Sequence, residues 1–394
     1  MGLDLDAVQR ALRDEGLDGW LLYDFHGSNP IARRVAAFDA AAKITTRRWY
    51  YLIPVEGPPR GLVHAIEADR LDHLPGGKTR YAAHGTLDAG LREVLAGCAA
   101  VAMEYSPGCA IPYVSRVDAG TVDAVRALGV EVRSSGDLIQ RFEAVWDADA
   151  LASHRAASAA LHDIKDRAFD LVSRRLRDGR PVTELDVQDA MAGWFDEAGL
   201  VSDSRPVVAA QENAGDPHYL PTARRHRPIG AGEVVLLDLW GKMKGTPGAV
   251  YADITWMGYT GAAVPTRYAD AFGVIRDGRD TAVDLVQRAV ADGRELRGWE
   301  VDRAVRDRVG AAGLGDRFVH RTGHNLGEEV HGNGVHLDDF ETHDERRLLP
   351  GTGVTIEPGV YFDDFGLRTE INLYVGSETA TVTGPRQEEI RSLG

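Results

Sequence analysis

Cysteine is almost missing from this chain of 394 residues: Cys98 and Cys109 are the only two, and they show no Cys-x-x-Cys spacing. That is too few for a disulfide framework and fits a reducing cytosol better than secretion. Long apolar runs are missing as well, none approaching the roughly 18 residues of a membrane-spanning helix. The opening Met-Gly-Leu-Asp-Leu-Asp has neither the basic start nor the apolar core of a signal peptide. Positive charge is in short supply, with 45 Lys and Arg against 60 Asp and Glu, a net charge of −15 and no basic block. Such a surface repels phosphate backbones and anionic lipid, which counts against nucleic acid and membrane partners. What is present is 44% apolar residues, enough at roughly 100–200 residues per domain for two or three domains with cores of their own. The composition predicts a cytoplasmic globular protein whose partners are small molecules or peptides.

The first part of the chain lacks any gathering of ionisable residues. Helical spacing over Leu3–Leu12 stops at Gly16, and strand-like runs follow at Trp20–Tyr23, Trp49–Val55, Gly61–Ala65, Ala99–Glu104 and Val130–Val132. Helix-like segments near Ala89–Leu95 and Val117–Leu128 lie between them, giving a mixed α/β layer. Gly76-Gly77-Lys78-Thr79 ends like a phosphate loop, but position 73 is His where a glycine is required, so the segment reads as a turn. Both cysteines read as buried small apolar groups. This stretch reads as scaffold, lid or interface. The texture changes near Asp147, where an Ala-rich run without Pro or Gly continues through Arg177 as one long helix. The boundary is therefore placed between residues 146 and 147. Thr183-Glu-Leu-Asp resembles a capping box and opens a second helix. Strands near Arg205–Ala209, Glu233–Trp240 and Tyr251–Tyr259 follow, then helices near Tyr268–Val290 and Val301–Gly310 and a strand-rich end.

Two carboxylate pairs are each centred on a turn. Asp238 ends the apolar run Val234–Leu237, Asp253 lies in Tyr251–Trp256, and Lys244–Gly248 between them is a strong turn signal. Their midpoint falls between Gly245 and Thr246, which predicts directly opposed positions in a hairpin. Glu357 and Glu370 have their midpoint between Asp363 and Asp364, inside Phe362–Gly366. Opposed Cβ atoms lie only about 4.5–5.5 Å apart, and like charges there destabilise the ladder. Surface exposure, a shared proton or a bound cation can relieve this. The apolar strands around these residues argue for burial, and buried paired carboxylates favour a metal.

Imidazoles are supplied by His320-Arg321-Thr322-Gly323-His324 and His331, spaced by four and seven residues, and by His218 in the turn-rich Asn213–Tyr219. Glycine next to His324 allows close backbone approach to a bound centre. One imidazole with four carboxylates suits a pair of divalent ions such as Mn, Co, Fe or Zn, and suits Ca poorly. Neither His-Glu-x-x-His nor Gly-x-Ser-x-Gly occurs.

The order Asp238, Asp253, His324, Glu357, Glu370 resembles the ligand set of the pita-bread metallopeptidases, the superfamily of methionine aminopeptidase, Xaa-Pro aminopeptidase, prolidase and creatinase. The resemblance covers about residues 147–394, and residues 1–146 are similar to the N-terminal α/β domain that the Xaa-Pro and creatinase branches add. It implies an α/β (α+β) protein: a creatinase-like domain over 1–146 and a pita-bread catalytic domain over 147–394. Carried over, Asp238 chelates one metal, His324 and Glu357 the other, and Asp253 and Glu370 bridge both. His320, His331 and His218 match the histidines that surround such a centre, and Arg368 matches the Arg two residues before the last bridging Glu.

The activity implied is that of an Xaa-Pro dipeptidase (prolidase) or aminopeptidase with two divalent ions per subunit, Mn or Co ahead of Zn or Fe. Two metals about 3.5–4 Å apart acidify a bridging water, and the hydroxide attacks the scissile carbonyl. Glu357 carries the proton, His331 and His218 stabilise the tetrahedral oxygen, and His320 and Arg368 are candidates for recognising the proline ring and a terminal charge. The substrate is a proline-containing dipeptide or short peptide, and the resemblance implies a homodimer. A metal-dependent amidohydrolase acting on a small non-peptide amide, as creatinase and ectoine-hydrolase relatives do, is the alternative. The family's Asp-x-Thr-Arg is here Asp253-Ile254-Thr255-Trp256, the two Asp ligands stand further apart than is usual, and a Tyr common three residues before the second Asp is displaced to Tyr251.

Overall fold

The computed structural model describes residues 3–38 and 45–394. The chain divides into two compact units, Met1–Phe142 and Glu143–Gly394. In the first, strands β1 (Gly19–Asp24), β2 (Trp49–Pro54), β3 (Arg60–His64), β4 (Gly77–Tyr81), β5 (Ala100–Met103) and β6 (Glu131–Ser134) form one mixed sheet in the order β4-β3-β2-β1-β5-β6. Side chains of a strand alternate between faces, and both faces of β1 and β2 are covered. Trp20, Leu22, Trp49, Tyr51 and Ile53 pack with helices α1 (Leu5–Asp14), α2 (Pro30–Val35) and α5 (Gly136–Glu143). Leu21, Tyr23, Tyr50 and Leu52 pack with α3 (His84–Val94) and α4 (Ala119–Arg126). That double cover explains why these strands read as continuous apolar runs. Two expectations fail here. Gly77-Lys78-Thr79 is not a turn but part of edge strand β4, parallel to β3, where one ladder partner and water on the open side tolerate polar residues. Cys109 is exposed and takes no part in a core, while Cys98, half-buried, packs only at the margin of the cluster around Leu95 and Val101.

In the second unit, α6 (Ala148–Arg177) is the long Ala-rich helix, opened by the Asp147 carboxylate accepting from Ala150 N at 2.8 Å. Helix α7 (Glu184–Glu197) begins with the expected capping box: Thr183 Oγ1 accepts from Asp186 N at 3.1 Å, and Asp186 Oδ2 accepts from Thr183 N at 2.8 Å. Strands β7 (Leu200–Val201), β8 (Val207–Ala210), β9 (Val234–Met243), β10 (Ala252–Tyr259) and a C-terminal β17 (Arg391–Ser392) make one sheet, β17-β10-β9-β7, with β8 also paired to β9. Helices α8 (Thr266–Ala291) and α9 (Gly298–Ala311) precede a second sheet. It is built from β11 (Asn325–Leu326), β12 (Thr352–Ile356), β15 (Ile371–Val375) and β16 (Ala380–Val382), and the short hairpin β13 (Gly359–Tyr361)–β14 (Gly366–Arg368) extends from β12 and β15.

One face of the first of these sheets presents Val235, Leu237, Leu239 and Ile254 to Leu161, Phe169, Val187 and Met191 of α6 and α7. The second sheet rests Val354, Ile356 and Leu373 on Phe272, Ile275 and Val283 of α8. Both sheets are thus backed by helices, which leaves their other faces to position polar groups. No helix among the described residues is long and apolar enough to cross a membrane. Because the Thr183 hydroxyl satisfies a helix-end N–H that otherwise lacks a partner, Thr183→Ala is expected to lower the unfolding free energy by about 1 kcal/mol. A lower urea midpoint with unchanged slope reports this; an unchanged midpoint contradicts it.

Candidate metal centre

The β9–β10 hairpin carries both aspartates on the face turned away from α6. Their pairing differs from the midpoint expectation: Asp238 stands opposite Thr255, and Asp253 stands opposite Trp240. The two are diagonal neighbours, roughly 7–8 Å apart along the ladder. The cause is an asymmetric turn. The ladder closes at Gly241–Ala252, Gly245 and Gly248 take positive φ of 71° and 69°, and Tyr251 leaves the hairpin to donate its N–H to Gly327 O at 3.0 Å. The extra residues fall on the β10 side and move the centre to between Thr246 and Pro247. The glutamates do follow their midpoint. β12–β15 pairs Ile356 with Ile371, β13–β14 pairs Gly359 with Arg368, and Glu357 faces Glu370 in the gap between the ladders. There Glu357 N donates to Thr322 O at 2.7 Å and Glu370 N to Thr255 O at 3.2 Å.

Two threonines organise the donors. Thr255 Oγ1 accepts from Arg368 Nε at 2.9 Å and donates to Glu370 Oε2 at 2.7 Å. Thr355 Oγ1 accepts from His324 N at 2.9 Å and donates to Glu357 Oε1 at 3.0 Å. Asn372 brackets the Asp253 backbone, accepting from its N–H at 3.0 Å and donating to its carbonyl. Gly323 brings the His324 segment against β12: a Cβ there would lie 2.0 Å from Thr355 O. The close approach is thus to a strand and not to a bound centre. His324 Nδ1 donates to the Asn325 carbonyl at 3.2 Å, and its Nε2 faces Glu357 Oε1 at 3.4 Å and Asp253 Oδ2 at 3.6 Å.

Among the described residues, donor atoms of Asp253, His324 and Glu370, all three buried, lie within 4.8 Å of one another. Burial, then the charge of Glu370, drives the Asp253 carboxyl well above its usual range; burial, then Glu357, does the same to Glu370. Burial raises Asp238 against the opposing pull of Arg368, and raises Glu357 to about 7. Burial also holds His324 well below its normal value and therefore neutral. Asp253 Oδ1 is buried with no hydrogen-bond partner. An unpartnered carboxylate oxygen, a bare imidazole nitrogen and uncompensated acids fit a divalent cation, which supplies the missing positive charge and the missing contact.

The remaining predicted residues surround this cluster. Arg368 is only 7% exposed and is engaged by Asp238, Thr255 and, at 3.4 Å, the Tyr361 hydroxyl. His320 has both nitrogens in use: Nδ1 donates to Arg321 O at 2.7 Å and Nε2 accepts from Tyr361 at 2.8 Å. The His331 ring lies with its centroid 4.3 Å from that of His324, tilted by 54° to it. It is open to solvent at the cluster's mouth, yet crowding by protein, followed by the charge of Arg321, lowers it to about 4. His218 is exposed, and its charge acts on His331. Trp256, the departure from Asp-x-Thr-Arg, faces the helix side, 3.7 Å beneath the Lys165 ammonium. Sequence reading missed Thr255, Thr355 and Asn372. Each lies two residues from a carboxylate, on the same strand face, and that parity was the available signal.

Paired hairpins that converge buried carboxylates on one imidazole define a metal-binding protein. Residues 155–377, more than half of the chain, match the model of metallopeptidase family M24, and the chain belongs to that family. It is 28% identical over 245 residues to the probable dipeptidase PepE of Mycobacterium tuberculosis, covering 62% of this chain and 59% of that protein. It is 28% identical over 212 residues to the Xaa-Pro dipeptidase of Lactobacillus helveticus, covering 52% and 51%. Each match therefore spans less than two thirds of the relative. The crystal structure of dipeptidase PepE from Mycobacterium ulcerans superposes with a TM-score of 0.68 at 22% identity, over 99% of this chain and 96% of that one. The fold is the two-domain, pita-bread architecture expected from the resemblance.

Glu357 allows a pH test. Its folded pKa exceeds its unfolded one, so the folded chain binds that proton more tightly and the residue withdraws stability as pH rises from about 4 to about 7. Above about pH 6.5 the histidines, whose folded values are depressed, have already finished contributing. In metal-free protein, Glu357→Gln should gain about 1 kcal/mol over the parent between about pH 6 and about pH 8. Thermal midpoints of the two proteins measure it; parallel profiles contradict it.

Proposed function

We propose that the protein is a metal-dependent peptidase that hydrolyses Xaa-Pro bonds, dipeptides ahead of longer peptides. The observation that carries this reading is the buried, uncompensated cluster of Asp253, His324 and Glu370 with its unpartnered Asp253 Oδ1. The similarity to a probable dipeptidase and to an Xaa-Pro dipeptidase supports the substrate class. In this reading Asp238, Asp253, His324, Glu357 and Glu370 would hold two divalent ions. The oxygen-rich set with a single imidazole suits Mn or Co ahead of Zn or Fe.

Bound there, the ions supply an acidified water and a polarised scissile carbonyl. The chain's own groups do the rest. Thr355 fixes Glu357 Oε1, which leaves Oε2 to take the proton of the attacking water and release it to the proline nitrogen. His331 is neutral at pH 7 and, with His218, donates to the carbonyl oxygen as negative charge builds there, each such donor being worth about 3–4 kcal/mol by analogy with oxyanion holes. We assign Arg368 and His320 to positioning, because their polar atoms are already committed to Asp238, Thr255 and Tyr361.

The test is metal-depleted protein incubated with Ala-Pro and with Ala-Pro-Ala, before and after addition of Mn or Co. Proline release from Ala-Pro, restored by metal, is the expected result; two bound metals with cleavage of neither peptide overturns the reading. Asp253→Ala should lower kcat/KM for Ala-Pro by on the order of a thousandfold, about 4 kcal/mol of transition-state stabilisation, and should cost one bound metal. Retained activity with two metals removes Asp253 from the ligand set.

A further inference from the structure

The face of β9 that carries Asp238 continues outward through Trp240 and Lys242. Trp240 stands opposite Asp253 in the ladder and packs in the small cluster of Tyr251, Leu326 and Val330, residues next to the His324 and His331 segment. Its indole Nε1 donates to Asp203 Oδ1 at 2.6 Å. Asp203 lies in the loop between β7 and β8, and this bond ties its exposed carboxylate to Trp240, on the strand face that carries Asp238. A rigid indole is an economical anchor, because it has only two torsions to immobilise.

Among the described residues, no Lys, Arg or His nitrogen lies within 4.0 Å of that carboxylate. Lys242, the cation on the same strand face, instead donates to the Glu328 carbonyl. The charge of Asp203 acts on His331, the imidazole given to the scissile carbonyl. A fixed carboxylate without a cation of its own, held opposite Asp253 through Trp240, is built to receive a positive charge from outside. A peptide brings one such charge at its N-terminal end, since an α-amino group is protonated at neutral pH. Ammonium-to-carboxylate hydrogen bonds are among the stronger ones available.

We propose that Asp203 recognises the free α-ammonium of the substrate's N-terminal residue, with Trp240 as the positioning residue that aims it. This assignment rests on the peptidase reading above. It makes the site selective for unblocked peptides, and places that selectivity on a residue outside the metal ligands. The bond from Trp240 leaves Asp203 Oδ2 for the ammonium.

The test compares Ala-Pro with N-propionyl-proline, which keeps the shape and replaces the amine by hydrogen, followed as a substrate or as a competitive inhibitor of Ala-Pro cleavage. Metal-loaded parent, Asp203→Asn and Trp240→Phe are measured side by side. Asp203→Asn should raise KM for Ala-Pro about tenfold with kcat within about twofold, and leave KM or Ki for propionyl-proline unchanged. Trp240→Phe, which keeps the ring and loses the N–H, should raise KM for Ala-Pro roughly threefold. An unchanged KM for Ala-Pro in Asp203→Asn, or an equal loss for both compounds, sinks the Asp203 assignment while leaving the peptidase reading in place. Metal-loaded parent that cleaves no proline peptide brings down the peptidase reading, and this assignment with it.

Discussion

Four carboxylates converge on one region of the second unit, and Arg368 is a permanent cation buried among them. Taking acids out of water without matching positive charge is among the costlier things a fold does, and much of the surrounding structure serves to hold that arrangement in place. Two threonines, an asparagine and an arginine fix oxygens and backbone groups that repulsion alone would drive apart. The donors are therefore preorganised by three neutral hydrogen-bonding side chains and one arginine, and the remaining deficit of positive charge is left for an ion to fill.

This arrangement depends on sheets with two unlike faces. Leu237, Leu239 and Ile254 bind the β9–β10 hairpin to α6 and α7, while Asp238, Trp240, Asp253 and Thr255 share the other side. Apolar packing on one face supplies the stability with which polar strain on the other is tolerated. It also explains why Trp256 in place of the family's Arg leaves the centre undisturbed: its ring belongs to the helix side, under Lys165 and beside His162.

Much of this was legible in the sequence because it rests on local rules. The capping box at Thr183, the unbroken Ala-rich α6 and the doubly covered β1 and β2 announce themselves through spacing and composition alone. The Glu357–Glu370 pairing was legible too, because its two ladders share one register across a symmetric turn. The Asp238–Asp253 pairing was not, since midpoint arithmetic assumes equal numbers of residues on either side of a turn, and Tyr251 is drawn out of the ladder by Gly327, a residue distant in sequence. Edge strand β4 was hidden by its polarity. The inward turn of Arg368 was hidden as well, because an arginine written two residues from a ligand does not say whether it faces the substrate or the ligands.

The register of β9 against β10 has a consequence for how the chain reaches its native state. Strand side chains alternate, so a slip of one residue would turn Asp253 and Thr255 toward Phe169 and Met191 and bring Ile254 out among the other carboxylates. Such a hairpin buries charge in an oily layer and exposes oil to the acids, and is penalised on both sides at once. The pattern that gathers the donors is thus also a ruler for strand pairing: the sequence proofreads its own alignment with the same residues it uses to build the centre.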